Sequence, residues 1–283
     1  MIQGVGKGDV RALHRTRVAS RRLRELLPVL QLDADVASKL GRRLRKVTER
    51  LGVVRELDVL ILLLDELHDS SKYDPRAIER VAAVIARERD ETRERLQTKL
   101  SAGGLQRLAR KFEKVAAEIK TQAQTTDRYR QNERAWRWVM EARIARRAEQ
   151  LAQAIDNAGA VYLPDRLHLA RIGLKKLRYA VELSTEAGGI RNSPDLRTLK
   201  RGQDLLGRLH DYEVLVGRVR QLEASMKPTD AAARRELDAL LRALEDTCRG
   251  LHARYMRGRP AIVAICDRCV SSSPRRGVAR RAS

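Results

Sequence analysis

Apolar residues recur along this chain at helical spacing. Projected at about 100° per residue, Leu13, Leu23, Leu26, Leu27 and Leu30 fall on one side of a helix, the side that burial requires. His14, Arg17, Arg21 and Arg24 fall opposite, within an arc of roughly 80°. Leu40, Leu44, Val47, Leu51 and Val54 then step by four, three, four and three, which predicts a second helix packed lengthwise on its neighbours, with Arg42, Arg45 and Lys46 pointing away from the seam. Asp9 is placed to cap the first helix. Ser70 to Pro75 reads as a turn, followed by a helix from about Arg76 to Leu100, which Gly103 and Gly104 break before a helix carrying Phe112 and Ile119. Residues 120–132 are polar without clear periodicity and read as a linker.

The same order then repeats. A helical stretch from Trp136 to Asn157 precedes a helix opened by Pro164 and Asp165, whose core side is Leu167, Leu174, Leu177 and Val181. Lys227 to Asp230 is the next turn, and Ala231 to Met256 a long helix. The repetition extends to individual residues. His14, Arg17, Val18, Arg21, Arg22, Leu23 and Arg24 are matched at identical offsets by His168, Arg171, Ile172, Lys175, Lys176, Leu177 and Arg178. Leu51, Gly52, Glu56, Asp58, Val59 and Leu60 recur as Leu206, Gly207, Asp211, Glu213, Val214 and Leu215, and Arg197, Lys200 and Arg201 stand where the first half has Arg42, Arg45 and Lys46. A displacement of about 155 positions is the mark of a duplicated unit. Packing explains a duplicated core, but not duplicated His and Arg on the polar side of a helix. Like charges three and four apart repel by a few tenths of a kcal/mol per pair in an isolated helix. The pattern therefore points to an anion lying against both faces.

These segments resemble the CHAD domain, the conserved histidine α-helical domain. The resemblance rests on LHRTRVASRRLRELL around His14, LGVVRELDVL at 51–60, LHLARIGLKKLRYAVEL around His168 and LGRLHDYEVL at 206–215, and covers roughly residues 9–260. It implies an all-α fold in which a duplicated pair of four-helix units packs around a central basic cavity, with inorganic polyphosphate as ligand. The units would be 1–125 and 126–270, with 271–283 a disordered basic tail carrying Arg275, Arg276, Arg280 and Arg281. Thirteen residues precede His14, so the opening helix of the first unit is expected to be missing or shortened. Either the chain begins late or the first unit leaves core surface exposed. His210 stands where the family more often has Asn and where the first half has Arg55, so no role is transferred to it. The expected ligand residues are His14, Arg17, Arg21, Arg22, Arg24, Arg42, Arg45, Lys46, His168, Arg171, Lys175, Lys176, Arg178, Arg197, Lys200 and Arg201. No triphosphatase domain accompanies these helices, so no activity is borrowed from one.

Charge narrows the partner. Fifty-nine Lys and Arg against thirty-seven Asp and Glu give a formal net charge of +22, which favours a polyanion. Nucleic acid is the competing partner, yet aromatic residues are only 3% and none interleaves the duplicated basic stretches, as base stacking would want. A chain of bare phosphates needs only guanidinium forks, ammonium groups and other hydrogen-bond donors. No apolar run reaches membrane-spanning length, no membrane partner is expected, and the cytoplasm is the default location, with polyphosphate granules as the implied association. Oligomeric state is not legible.

Chemistry beyond binding has little support in the residues. Glu56 with Asp58, and Asp211 with Glu213, read as partners that orient basic side chains rather than as a Mg²⁺ site, so phosphoanhydride processing is the least favoured class and no catalytic residue is assigned. No cofactor is expected. His14 and His168 lie in different halves without ligand spacing, and the field of Arg and Lys opposes a metal cation. Cys248, Cys266 and Cys269 are too few for a disulfide framework, and the single CxxC at 266–269 supplies half of a usual zinc set, so the thiols read as incidental. Arg15, Arg43, Arg50 and most basic residues between 87 and 147 read as solvated surface.

Overall fold

A computed structural model describes residues 9–30, 32–122, 126–187, 194–227 and 229–272. Among them the secondary structure is eight α-helices and one short 3₁₀ turn, without strands. In chain order these are α1 (Val10–Leu26), the 3₁₀ turn (Leu27–Val29), α2 (Ala34–Asp69), α3 (Pro75–Lys99), α4 (Ala102–Gln122), α5 (Thr126–Ala158), α6 (Pro164–Ala187), α7 (Pro194–Ser225) and α8 (Ala231–Ser271).

The helix starts follow local chemistry. Asp9 caps α1 by accepting from the Ala12 amide at 2.7 Å, and Asp74 does the same for the Arg76 amide at 2.8 Å ahead of α3. Pro164 occupies the first position of α6, where its missing N–H costs nothing. Three boundaries differ from expectation. The break between α3 and α4 lies at Leu100 and Ser101 rather than at the glycine pair, because Ser101 Oγ accepts from the Gly104 amide at 3.1 Å and draws Gly103 and Gly104 into the first turn of α4. The expected linker 120–132 is mostly helical: α4 runs to Gln122 and α5 begins at Thr126, since Gln, Arg and Glu favour helix without an apolar period. Only 123–125 fall outside the described residues there. Finally, α8 continues past Met256 to Ser271, straight through Pro260. Proline removes one backbone donor in a helix interior, but Ile262, Ile265 and Cys266 beyond it are buried and hold the last turns in place. The expected tail lies outside the described residues from 273 onward, as do residues 1–8, where the question of an opening helix rests.

The chain forms two compact units that partition it differently from the sequence repeat: 1–58 with 87–140, and 59–86 with 141–283. In the first, Leu13 and Leu27 pack in one cluster with Leu40, Leu44, Val47, Leu51 and Val54 of α2, Leu96 and Leu100 from α3 and the following residue, and Leu105, Leu108 and Val115 of α4. The seam predicted for α2 is thus buried in full, each residue at 7% exposure or less. In α1 the buried stripe also includes Thr16 and Ser20, whose hydroxyl donates to the Thr16 carbonyl at 2.8 Å. In the second unit α6, α7 and α8 pack side by side around Leu174, Leu177, Leu199, Leu206, Leu209, Leu237 and Leu244. Close approach there depends on missing side chains: a Cβ at Gly202 would meet Ile262 Cδ1 at 2.8 Å, and one at Gly173 would meet the Leu151 backbone at 3.3 Å. Among the described residues, no helix is long and apolar enough to cross a membrane.

Candidate functional site

In the first unit the histidine-bearing face of α1 emerges opposite its buried stripe. His14 is exposed, and Arg17, Arg21, Arg22 and Arg24 are half-exposed along the same helix. His14 binds a proton less readily than a free imidazole, first because of partial burial, then because of the positive charges of Arg55, Arg17 and Arg21. Arg55 of α2 therefore joins α1's cations around this ring. Arg55 lies outside the expected ligand set, although its alignment with His210 is a signal visible in the sequence. Arg42, Arg45 and Lys46 are all exposed, on the side of α2 away from Leu40, Leu44 and Val47. Asp58, expected to orient the duplicated cations, is instead buried and accepts from Arg93 Nη2 at 2.7 Å.

The second unit carries the more elaborate version. His168 of α6 is half-buried, with its ring centroid 4.6 Å from that of His210 on α7 and the planes inclined by 50°. The two Nδ1 atoms are 3.4 Å apart, within hydrogen-bond reach, with donor and acceptor set by the tautomer of each ring. His210 Nδ1 also lies 3.7 Å from Glu213 Oε2, and the other carboxylate oxygen accepts from the Tyr162 hydroxyl at 3.0 Å. Burial, followed by His210 and Arg171, lowers the proton affinity of His168; Glu213 works against this and Lys175 with it.

Behind this pair the surroundings are less polar. Burial, with Cys248 and Glu213 nearby, pushes the Tyr162 hydroxyl far above its usual range. Its ring centroid is 5.2 Å from that of His252, which is itself buried and held below the ordinary imidazole value by desolvation. Glu213 lies between His210 and Tyr162, and no spacing rule could have indicated its contact with Tyr162.

The remaining expected residues separate into groups. Arg171 and Lys175 are half-exposed beside His168, and Lys176 is exposed on the same helix. Arg178 ties α6 to α7: its Nε donates to Gln203 Oε1 at 2.7 Å, Nη1 reaches Glu182 Oε2 at 3.2 Å, and the guanidinium lies 4.6 Å over the Tyr179 ring. Arg197, Lys200 and Arg201 are exposed on α7. Arg201 and His210 are nine residues apart, which at about 100° per residue puts them on opposite sides of the helix. Arg201 lines a groove toward α8 instead.

The thiols stay apart from these faces. Burial pushes Cys266 up to about 12 and Cys248 up to about 11, and Cys269 is raised as well, which disfavours thiolates at neutral pH. No cluster of three or more His, Cys, Asp or Glu suited to a metal occurs among the described residues.

A family model described as "CHAD domain" matches residues 2–220, which leaves α8 outside the match. No curated protein matches the chain. Among solved structures the chain is similar to the CHAD domain from the plant Ricinus communis, with a TM-score of 0.51 at 20% identity over 92% of this chain and 81% of that one. At that identity the likeness is one of fold.

Proposed function

The chain belongs to the CHAD domain family, and from that premise we propose that it binds inorganic polyphosphate and does not alter it chemically. The observation that supports this reading best is the gathering of like charge around a histidine in each unit: Arg17, Arg21 and Arg55 near His14, Arg171 and Lys175 near His168. An anion that enters gains attraction from each of these charges at once. Guanidinium groups offer paired donors to phosphate oxygens, an ammonium adds a compact charge, and each imidazole donates one N–H when neutral and a charge when protonated.

A polymer of phosphates uses all of these and asks for nothing else. Tyr179, whose ring lies under Arg178, is itself buried and gives a base no platform for stacking, which favours polyphosphate over nucleic acid. Asp58 is committed to Arg93 and Glu213 to Tyr162 and His210, so these carboxylates serve the fold and the histidine pair rather than a reaction. A binding role of this kind fits the cytoplasm and association with polyphosphate granules.

The test is a titration with long-chain polyphosphate over a salt series. Affinity that falls steeply and linearly in log–log form is expected, because each neutralised phosphate releases a counterion. Binding that is absent, or indifferent to salt, contradicts the reading.

A further inference from the structure

α7 presents anion-binding chemistry on two opposite sides, and only one of them belongs to the histidine site. The other side faces α8 across a groove of about 520 Å³ lined by Arg201, Asp204, Leu205 and Arg208 of α7 and by Leu251, Arg254 and Arg257 of α8. We propose that this α7–α8 groove is a second, separate binding site for a linear oligophosphate. The inference rests on the polyphosphate reading above and extends it to a surface to which the duplicated pattern contributes Arg201.

The groove is organised rather than merely basic. Arg208 is fixed from two directions: its guanidinium pairs with Glu66 at 2.5 Å and lies 5.2 Å over the Tyr212 ring. That anchoring spends one charge on Glu66 but holds the fork in one orientation, which reduces the entropy lost when it meets a ligand. Arg201 is steadied by Thr198, whose hydroxyl is 3.3 Å from Nη2. Across the groove, Arg254 and Arg257 are exposed and make no hydrogen bond or ion pair among the described residues. Two forks are therefore pre-placed on α7 and two are available on α8, with Asp204 as the carboxylate among them.

The spacing suits a chain. Arg201 and Arg208 are two helical turns apart, about 10 Å along α7, and Arg254 and Arg257 are about 4.5 Å apart along α8. Donors strung in two facing rows match a linear anion with charge at every unit. A volume near 520 Å³ is small for a nucleic-acid duplex, and no aromatic ring lines it to receive a base. Leu205 and Leu251 add an aliphatic patch beside the guanidinium groups, and a less polar surround strengthens their attraction for phosphate. A polymer long enough to reach both sides of α7 would then gain avidity that a short one lacks.

The experiment uses tripolyphosphate and long-chain polyphosphate as probes, with calorimetry on four proteins: the full chain, R254A/R257A, R171A/K175A and R87A/R89A. The groove variant is expected to bind one fewer tripolyphosphate per chain and to lose at least tenfold in affinity for the long polymer. The R171A/K175A protein should retain the ligand of the groove, and R87A/R89A should match the unmodified chain. Unchanged stoichiometry and affinity in R254A/R257A overturn the second site while leaving the histidine-face reading intact. An equal loss in R87A/R89A also overturns it, by showing that net charge alone is read. Absence of polyphosphate binding in the unmodified chain overturns both.

Discussion

His168 and His210 meet through their Nδ1 atoms at 3.4 Å, whereas the equivalent neighbour of His14 is Arg55. The two matched histidines are therefore electrostatically unequal. Arginine keeps its charge at any accessible pH, so His14 always has a cation beside it. In the second unit His210 holds down the proton affinity of His168, and an anion bound beside the pair works against this. Replacing His210 with Arg is therefore expected to tighten polyphosphate binding at pH 8 and to make the dependence of affinity on pH between 6 and 8 shallower. Dissociation constants at the two pH values measure this. An unaltered pH slope would show that the pair plays no part in binding.

The histidines themselves give a second pH prediction. Burial and neighbouring cations depress the proton affinity of His14 and His168 in the empty protein, and a bound phosphate acts in the opposite sense. Binding then takes up protons, so affinity should rise as pH falls from about 8 to 6. The double variant His14→Gln, His168→Gln keeps a donor at each position but cannot gain charge, and its profile should be flatter. Stability without ligand runs the other way. The unfolded chain binds protons near its reference pKa of about 6.5 while the folded rings resist, so the empty protein should lose stability as pH falls through that value. His252 adds to this with the same sign.

Charge position should matter more than charge number. Replacing Arg17 and Arg21, or Arg171 and Lys175, with Ala should weaken binding by several kcal/mol if each supplies a charged hydrogen bond worth about 1.5 to 3 kcal/mol. The fold should survive, since none of the four is buried. Arg87 and Arg89 serve as the control pair, Arg89 being engaged with Asp90 at 3.0 Å. Equal loss from the control pair would reduce the site to a general positive field.

A stability prediction isolates Asp58. Its side chain is 5% exposed against Arg93, which is 24% exposed. Asp58→Ala should destabilise the protein by roughly 2 to 3 kcal/mol, below the usual 3 to 5 for breaking a buried pair because Arg93 can still reach water. Urea denaturation measures the loss, and polyphosphate affinity of the folded protein should not change. Undiminished stability would show that the pair is no more than a surface contact.

Much of this was legible in the residues. The α2 seam, the Asp9 cap, the turn before Pro75 and Leu167, Leu174 and Leu177 on the core side of α6 follow from apolar period and cap chemistry, which are local properties, whereas Val181 is only half-buried. The run of α8 through Pro260 was not legible, because it depends on Ile262 and Ile265 finding a core. The same limit applied at the site. Repetition pointed to His14 and His168 together with their neighbours on the same helix, but Arg55 and His210 reach these rings from other segments, and Tyr162 joins the second site through Glu213. Arg201 shows the converse: it shares a sequence pattern with its neighbours, yet the rotation of α7 turns it toward α8.

The central claim is that this chain recognises a string of phosphates rather than a nucleic acid. Competition between long-chain polyphosphate and single- and double-stranded DNA, at equal phosphate concentration and physiological salt, tests it most directly. Polyphosphate should displace both forms of DNA, because the duplicated faces offer cations and hydrogen-bond donors but no stacking surface. A tighter complex with DNA, or a preference among DNA sequences, would contradict the account.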